Sequence, residues 1–441
     1  MKFFGRDDEL AELSKIRELS LEHARFTVLT GRRRVGKTEL VERAFNDGRT
    51  KYLYFLITRR AERDLCAILQ EEASRVLSRP ILGRAERFSQ ILEAVMLSAE
   101  DTPITLVIDE FQEFDRINPA IFGEIQGVWD RLHKNSRINL VVCGSINRMM
   151  HKIFFDDSQP LYGRNTGKIH LDPFPASLLK RILAEYNPKY TSEDLLALWT
   201  LTGGIARYVE LFMDDRAFTR KAMLKTVYAL SSAYIDEGRI ILNEEFGKDH
   251  GVYFSILSAI AAGRTSFSEI SNLIGADIGG YLTKLERSYS LISKVQPIYE
   301  KTSSKNCLYR IDDSFFRFWF RFVYKYMHLI EQKQLSELRQ MVEGEFNVFE
   351  GKALESYFRA KFLEERKYTR IGGWWDRKGE NEIDLVGENE FTGALDFYEI
   401  KRDAQRIDLK KLEKKVEAFL VKNPELRERN ISLFAASLKD M

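Results

Sequence analysis

The chain has 441 residues, 44% of them apolar and 30% charged, with a net charge of +2. That length exceeds one ordinary core and implies about two to four soluble, globular domains. The balanced charge argues against a dedicated nucleic-acid binder, which usually carries a basic excess or stripe, and no apolar run approaches the roughly 18–20 residues of a membrane span.

The opening string MKFFGRDDEL turns acidic too early for a secretory signal. Cys66, Cys143 and Cys307 lie too far apart for a metal spacing or a disulfide framework. A cytoplasmic protein is expected. From about residue 26 to 172, strand-like runs alternate with helical patterns: FTVLT (26–30), KYLYFLI (51–57), ITLVID (104–109), INLVVCG (138–144) and KIHL (168–171). Apolar runs of this kind between helices indicate a parallel sheet buried on both faces. Between the first run and the helix ELVERAF stands GRRRVGKT (31–38), which matches G-x-x-x-x-G-K-[ST] in the context that motif requires. Gly31 and Gly36 let the backbone curl so that its N–H groups face phosphate. Lys37 brings charge to the β- and γ-phosphates, and Thr38 a hydroxyl to Mg²⁺. Arg34, Val35 and Glu39 complete the expected contacts with ATP. In LVIDEFQEF (106–114), Asp109 is expected to hold Mg²⁺, mainly through water, and Glu110 to polarise the attacking water. No N-K-x-D string occurs, which favours ATP over GTP. Ser145, after the strand ending in Gly144, is placed to touch the γ-phosphate or the water. Arg164 in LYGRNTGKIHL is a candidate arginine finger, with a surface arginine as the plain alternative. Arg207 in TGGIARYVELF is a candidate to reach the phosphates from a helical segment.

A helical stretch runs from Pro173 to about Gly247. Residues 250–312 read as three helices and a hairpin, with LISKVQPIYE and NCLYRID as the strands of a wing. Tyr281, Thr283, Lys284 and Arg287 could face DNA from the third helix. A long aromatic helix, capped by Asp313, carries Arg317, Arg321 and Lys325 at i, i+4 and i+8. Snorkelling around a packed helix accounts for that stripe. A helix at about 346–366, strands near 382–387 and 395–401, and a charged helix at about 407–422 restart an α/β pattern.

Together these motifs resemble known families. FFGRDDELAEL (3–13) looks like the F-x-G-R-x-x-E-L box that opens many AAA+ and STAND-type ATPases, and the resemblance places Gly5 and Arg6 near the adenine. With GRRRVGKT, LVIDEFQEF, CGS, LYGR and TGGIARY in order, the first 240 or so residues resemble archaeal-type P-loop ATPases. The proline frequent after Gly-Gly-x in the lid motif is replaced by Ala206. Further on, Glu350, Asp384, Glu399 and Lys401 resemble the E…D…E-x-K core of PD-(D/E)XK nucleases, which such ATPases often carry. Strand alternation puts Glu399 and Lys401 on one face. The carboxylates of Asp384 and Glu399, completed by Glu350, would bind Mg²⁺ or Mn²⁺, and Lys401 would orient water or phosphate. Surface ion pairing is the plain alternative, and Trp374 and Trp375 read as packing.

The expected fold is α/β: a P-loop ATPase core (1–172), a helical lid (173–247), a winged helix (248–312), an aromatic linker helix (313–340) and a restriction-endonuclease-like domain (341–441). The expected function is an ATP-hydrolysing switch or motor acting on DNA through the nuclease-like module, with homo-oligomers possible and no membrane partner. The competing class is a non-cleaving, ATP-dependent regulator with a degenerate nuclease fold.

Overall fold

A computed structural model describes residues 1–441 apart from 79–80, 82, 146, 247–249, 302–303 and 305. The chain forms two compact units, residues 5–173 and residues 1–4 with 174–441. The expected boundary at 247–248 lies outside the described residues.

In the first unit, β1 (Arg25–Gly31), β2 (Lys51–Leu56), β3 (Ile104–Asp109), β4 (Ile138–Gly144) and β5 (Gly167–Leu171) form one sheet in the order β2-β3-β4-β1-β5. Every pairing is parallel. All five strands fall within one residue or so of their apolar runs, and β3 and β4 are buried at every position. That burial explains why they read as unbroken hydrophobic strings rather than alternating ones. Apolar side chains of the helices Glu62–Leu77, Phe88–Asp101 and Ile121–Leu132 share one core with Phe26 and Val28 of β1. Thr30 lies opposite Gly144, and Ile108 opposite Val142. This register brings the segments that follow β1, β3 and β4 to one edge, where open α/β sheets bind ligands.

The second unit continues with helices at Ala176–Tyr186, Ser192–Thr202, Ala206–Asp214, Arg220–Val227 and Ala233–Phe246. Three more, His250–Ala261, Phe267–Ile274 and Gly279–Arg287, precede an antiparallel hairpin of β6 (Ile292–Val295) and β7 (Leu308–Ile311). Asp313 caps the next helix as expected, accepting from the Phe316 N–H at 3.1 Å. The long aromatic helix is not continuous. Ser314–Phe318 passes into a π-helical turn at Trp319–Val323, a 3₁₀ turn at Tyr324–Tyr326 and a short helix at Met327–Glu331. Packing overrides propensity here: Trp319 is fully buried, donates its indole N–H to the Ile235 carbonyl at 2.8 Å, and lies over Gly238. The basic stripe dissolves with the helix. Arg317 lies over the Phe349 ring, Arg321 pairs with Glu345 at 3.1 Å, and Lys325 donates to the Tyr326 hydroxyl.

A 30-residue helix, Leu335–Glu364, starts well before the position its sequence suggests. It leads into β8 (Arg370–Trp375), β9 (Glu382–Asn389), β10 (Ala394–Ile400) and β11 (Asn430–Ala436), ordered β11-β10-β9-β8. β8–β9 and β9–β10 are antiparallel, while β10–β11 is parallel across the helix Leu409–Lys422. Phe419 of that helix packs on Phe397 and Trp374. Among the described residues, no helix is long and apolar enough to cross a membrane.

Candidate functional site

The loop after β1 is shaped by its glycines. Gly36, at φ 98°, caps the helix Lys37–Phe45 in the left-handed region, where a side chain is strained. At Gly31 a Cβ would stand 2.6 Å from the Leu171 carbonyl oxygen. Val35 is buried, whereas Arg34, Thr38 and Glu39 are exposed. Lys37 is 7% exposed, and its ammonium donates to the carbonyls of Gly31 and Arg32, 2.9 Å each. Burial lowers its pKa, against the opposing pull of Glu110 and Asp109. Arg6 reaches the same loop. Its guanidinium donates to the carbonyls of Asp172 (2.6 Å) and Val35 (3.4 Å) and pairs with Glu9, so the Gly5–Arg6 turn is tied to the P-loop.

Asp109, at the end of β3, is 4% exposed and accepts from the Thr38 hydroxyl at 2.9 Å and the Tyr54 hydroxyl at 2.6 Å. Glu110 follows with φ 54°, an uncommon backbone for a non-glycine residue, and its carboxylate is held by Gln112 Nε2 and by Ser145 Oγ at 3.2 Å. Ser145 therefore touches the expected base. Tyr54 and Gln112 went unnoticed in the sequence because neither belongs to a motif. Tyr54 is found from the register that sets β2 beside β3, and Gln112 from its place two residues after Glu110.

Arg164 is held at the surface of this unit by Asp130, at 3.2 Å, and by the Tyr162 carbonyl. Arg207 belongs to the other unit, where it pairs with Glu210 at 2.7 Å.

In the C-terminal sheet, Asp384 on β9 and Glu399 on β10 are brought together as the spacing suggests. Lys401 Nζ lies 2.9 Å from Asp384 Oδ2 and 3.0 Å from Glu399 Oε1. The Ile400 N–H donates to Asp384 at 2.7 Å. Lys415, unnoticed in the sequence, holds the other Glu399 oxygen at 2.8 Å. Burial raises the Glu399 carboxyl, but hydrogen bonds from Lys415 and Lys401 outweigh it and leave the group below the usual range. Lys401 is raised, because Asp384 and Glu399 more than offset its burial.

Glu350 requires a correction. It is fully buried, paired with Arg402 and with Arg220 at 3.4 Å. Among the described residues, the three carboxylates whose oxygens lie within 4.8 Å of one another are Glu355, Glu382 and Asp384. Glu350 is outside that group because it lies on the helix's apolar stripe with Phe346, Ala353 and Tyr357, where two arginines neutralise it. Burial, joined by the nearby Asp384, raises the Glu355 carboxyl despite Lys352.

Residues 3–212 match a family model described as an ATPase domain predominantly from Archaea, and residues 319–416 match one described as archaeal and bacterial proteins of unknown function. An uncharacterized protein of Methanocaldococcus jannaschii is 29% identical over 93% of this chain and 90% of its own. Among solved structures, the Walker-type ATPase of Pyrococcus abyssi is similar at TM-score 0.51 and 21% identity, covering 72% of this chain and 96% of that one. The ORC2 protein of Aeropyrum pernix, solved in ADPNP and ADP complexes, is similar at TM-score 0.50 and 16% identity, covering 78% and 96%. These structures share the fold of a P-loop ATPase with a parallel central sheet. The chain carries an ATPase domain at residues 3–212 and is an ATPase: it binds and hydrolyses ATP.

Proposed function

We propose that the protein is an ATP-driven switch or motor whose C-terminal part is a metal-dependent, PD-(D/E)XK nuclease-like module acting on DNA. The observation that carries this reading is Lys401 Nζ, set 2.9 Å from Asp384 and 3.0 Å from Glu399, beside the cluster of Glu355, Glu382 and Asp384. Carboxylates this close repel one another, and a hard cation is their natural counterpart. These oxygen donors suit Mg²⁺ or Mn²⁺, which would neutralise charge developing on a phosphodiester. Lys401 orients the water or the phosphate.

At the ATP site, the Thr38 hydroxyl and the Asp109 carboxylate are the oxygen donors for Mg²⁺, which would neutralise the β- and γ-phosphate charge. Glu110, steadied by Ser145 and Gln112, takes the proton of the attacking water. Arg164 acts on the ATP of a neighbouring copy once it leaves Asp130. Arg207 answers nucleotide from a helical lid at 173–247. Residues 248–312 serve as a winged helix between the ATPase core at 1–172 and a linker at 313–340, with the nuclease-like module at 341–441. Lys284 and Arg287 are exposed on its third helix, whereas Tyr281 packs on Tyr253.

One observation favours the non-cleaving regulator: both Glu399 oxygens are already held by lysines. Incubating the full chain with ATP, Mg²⁺ or Mn²⁺ and labelled DNA decides between them. The nuclease-like reading requires metal-dependent strand cleavage that Asp384→Ala removes.

A further inference from the structure

Next to the carboxylate cluster lies a cavity of about 960 Å³, lined on one side by Lys301, Ser304 and Asn306 and on the other by Trp375, Arg377 and Lys378. Glu382 belongs both to its wall and to the cluster. We propose that this groove is the path by which a single DNA strand reaches Glu355, Glu382 and Asp384, with a base on Trp375 and phosphates on Lys301, Arg377 and Lys378. The inference rests on the nuclease-like reading and deepens it.

The charges on the wall are unequal in availability. Glu269 caps its own helix, accepting from Ser266. Asp376 closes its turn, accepting from the backbone of Lys378, Glu380 and Asn381. Glu382 pairs with Lys352 at 2.7 Å. By contrast, Lys301, Arg377 and Lys378 are exposed and, among the described residues, make no ion pair. Glu300 shares the wall, and Glu269 and Asp376 keep their charge, so the positive charge is local to Lys301, Arg377 and Lys378.

Strand alternation separates the two tryptophans. Trp374 turns inward onto Phe419, whereas Trp375 is half-buried in the groove wall, its indole N–H pinned to Asn306 Oδ1 at 3.1 Å. Asn306 Nδ2 is buried without a partner, a donor that a base carbonyl would satisfy. A basic groove with an aromatic platform is how single strands are held without sequence preference. The volume of about 960 Å³ is at the upper end for ligand pockets and is enough for a few nucleotides of one strand.

The test is anisotropy of fluorescein-labelled oligo-dT with the full chain in EDTA, over a salt series. Trp375→Ala should weaken binding about five- to a hundredfold, with Trp375→Phe restoring most of it. The double variant Arg377→Ala/Lys378→Ala should reduce the salt slope by about 1.4. An unchanged circular-dichroism spectrum and thermal midpoint in each variant report intact folding. Wild-type affinity and slope in these variants, or equal competition by duplex DNA, overturns the proposal. The two readings fail separately. Groove-dependent binding without cleavage in Mg²⁺ or Mn²⁺ removes the nuclease reading alone, and Asp384-dependent cleavage with unaltered binding in the variants removes the groove alone.

Discussion

Lys37 donates to the carbonyls of Gly31 and Arg32, which fix its ammonium within the glycine loop. Lys37→Ala removes a charge-assisted contact of about 1.5–3 kcal/mol, and calorimetry should show ATP affinity falling by roughly tenfold or more. Glu399 carries a pH signature. Its folded pKa is depressed, so its stabilising contribution is present above the ordinary carboxylate pKa of about 4.3 and is lost as pH falls through the lower folded value. Urea midpoints should therefore fall more steeply on acidification in the wild type than in Glu399→Gln, and parallel pH profiles would contradict the ion-pair geometry. Thr38 meets Asp109, and Lys401 meets Asp384, because each stands on or shortly after a strand and strand pairing brings those segments together. Glu355 was missed for a long-range reason. Glu350 and Glu355 stand on different faces of one helix, and only the helix's docking decides which approaches Asp384. The apolar stripe through Phe346, Glu350 and Tyr357 was the available signal that Glu350 faces a core.

At the scale of elements, the parallel strands were legible because both faces are buried and each run is apolar from end to end. The aromatic segment was not. Its composition reads as one helix, but the π-helical turn at Trp319–Val323 arises from tertiary packing, with the Trp319 ring seated over Gly238 of another helix. A Cβ at residue 238 would lie 2.4 Å from the Trp319 ring. Gly238→Ala should destabilise the protein by about 1–3 kcal/mol through overpacking, despite alanine's better helix propensity. Thermal denaturation checks this, and an unchanged or raised midpoint would mean that the ring moves freely.

At the scale of the whole molecule, the candidate ATP site draws on residues 5–173 and the carboxylate cluster on residues 355–384. A finger supplied in trans would make hydrolysis depend on assembly, contributing roughly 10³–10⁵ in rate. Specific ATPase activity should then rise with protein concentration and collapse in Arg164→Ala. A flat profile with an active variant would leave Arg164 as the partner of Asp130 and nothing more. The most direct measurement follows phosphate release and DNA strand cleavage together in the wild type, Glu110→Gln and Asp384→Ala. The expected result is a fall in phosphate release of about 10²–10⁴ in Glu110→Gln with ATP still bound, and unaltered phosphate release with no cleavage in Asp384→Ala. Hydrolysis by Glu110→Gln at the wild-type rate would contradict the account at its centre.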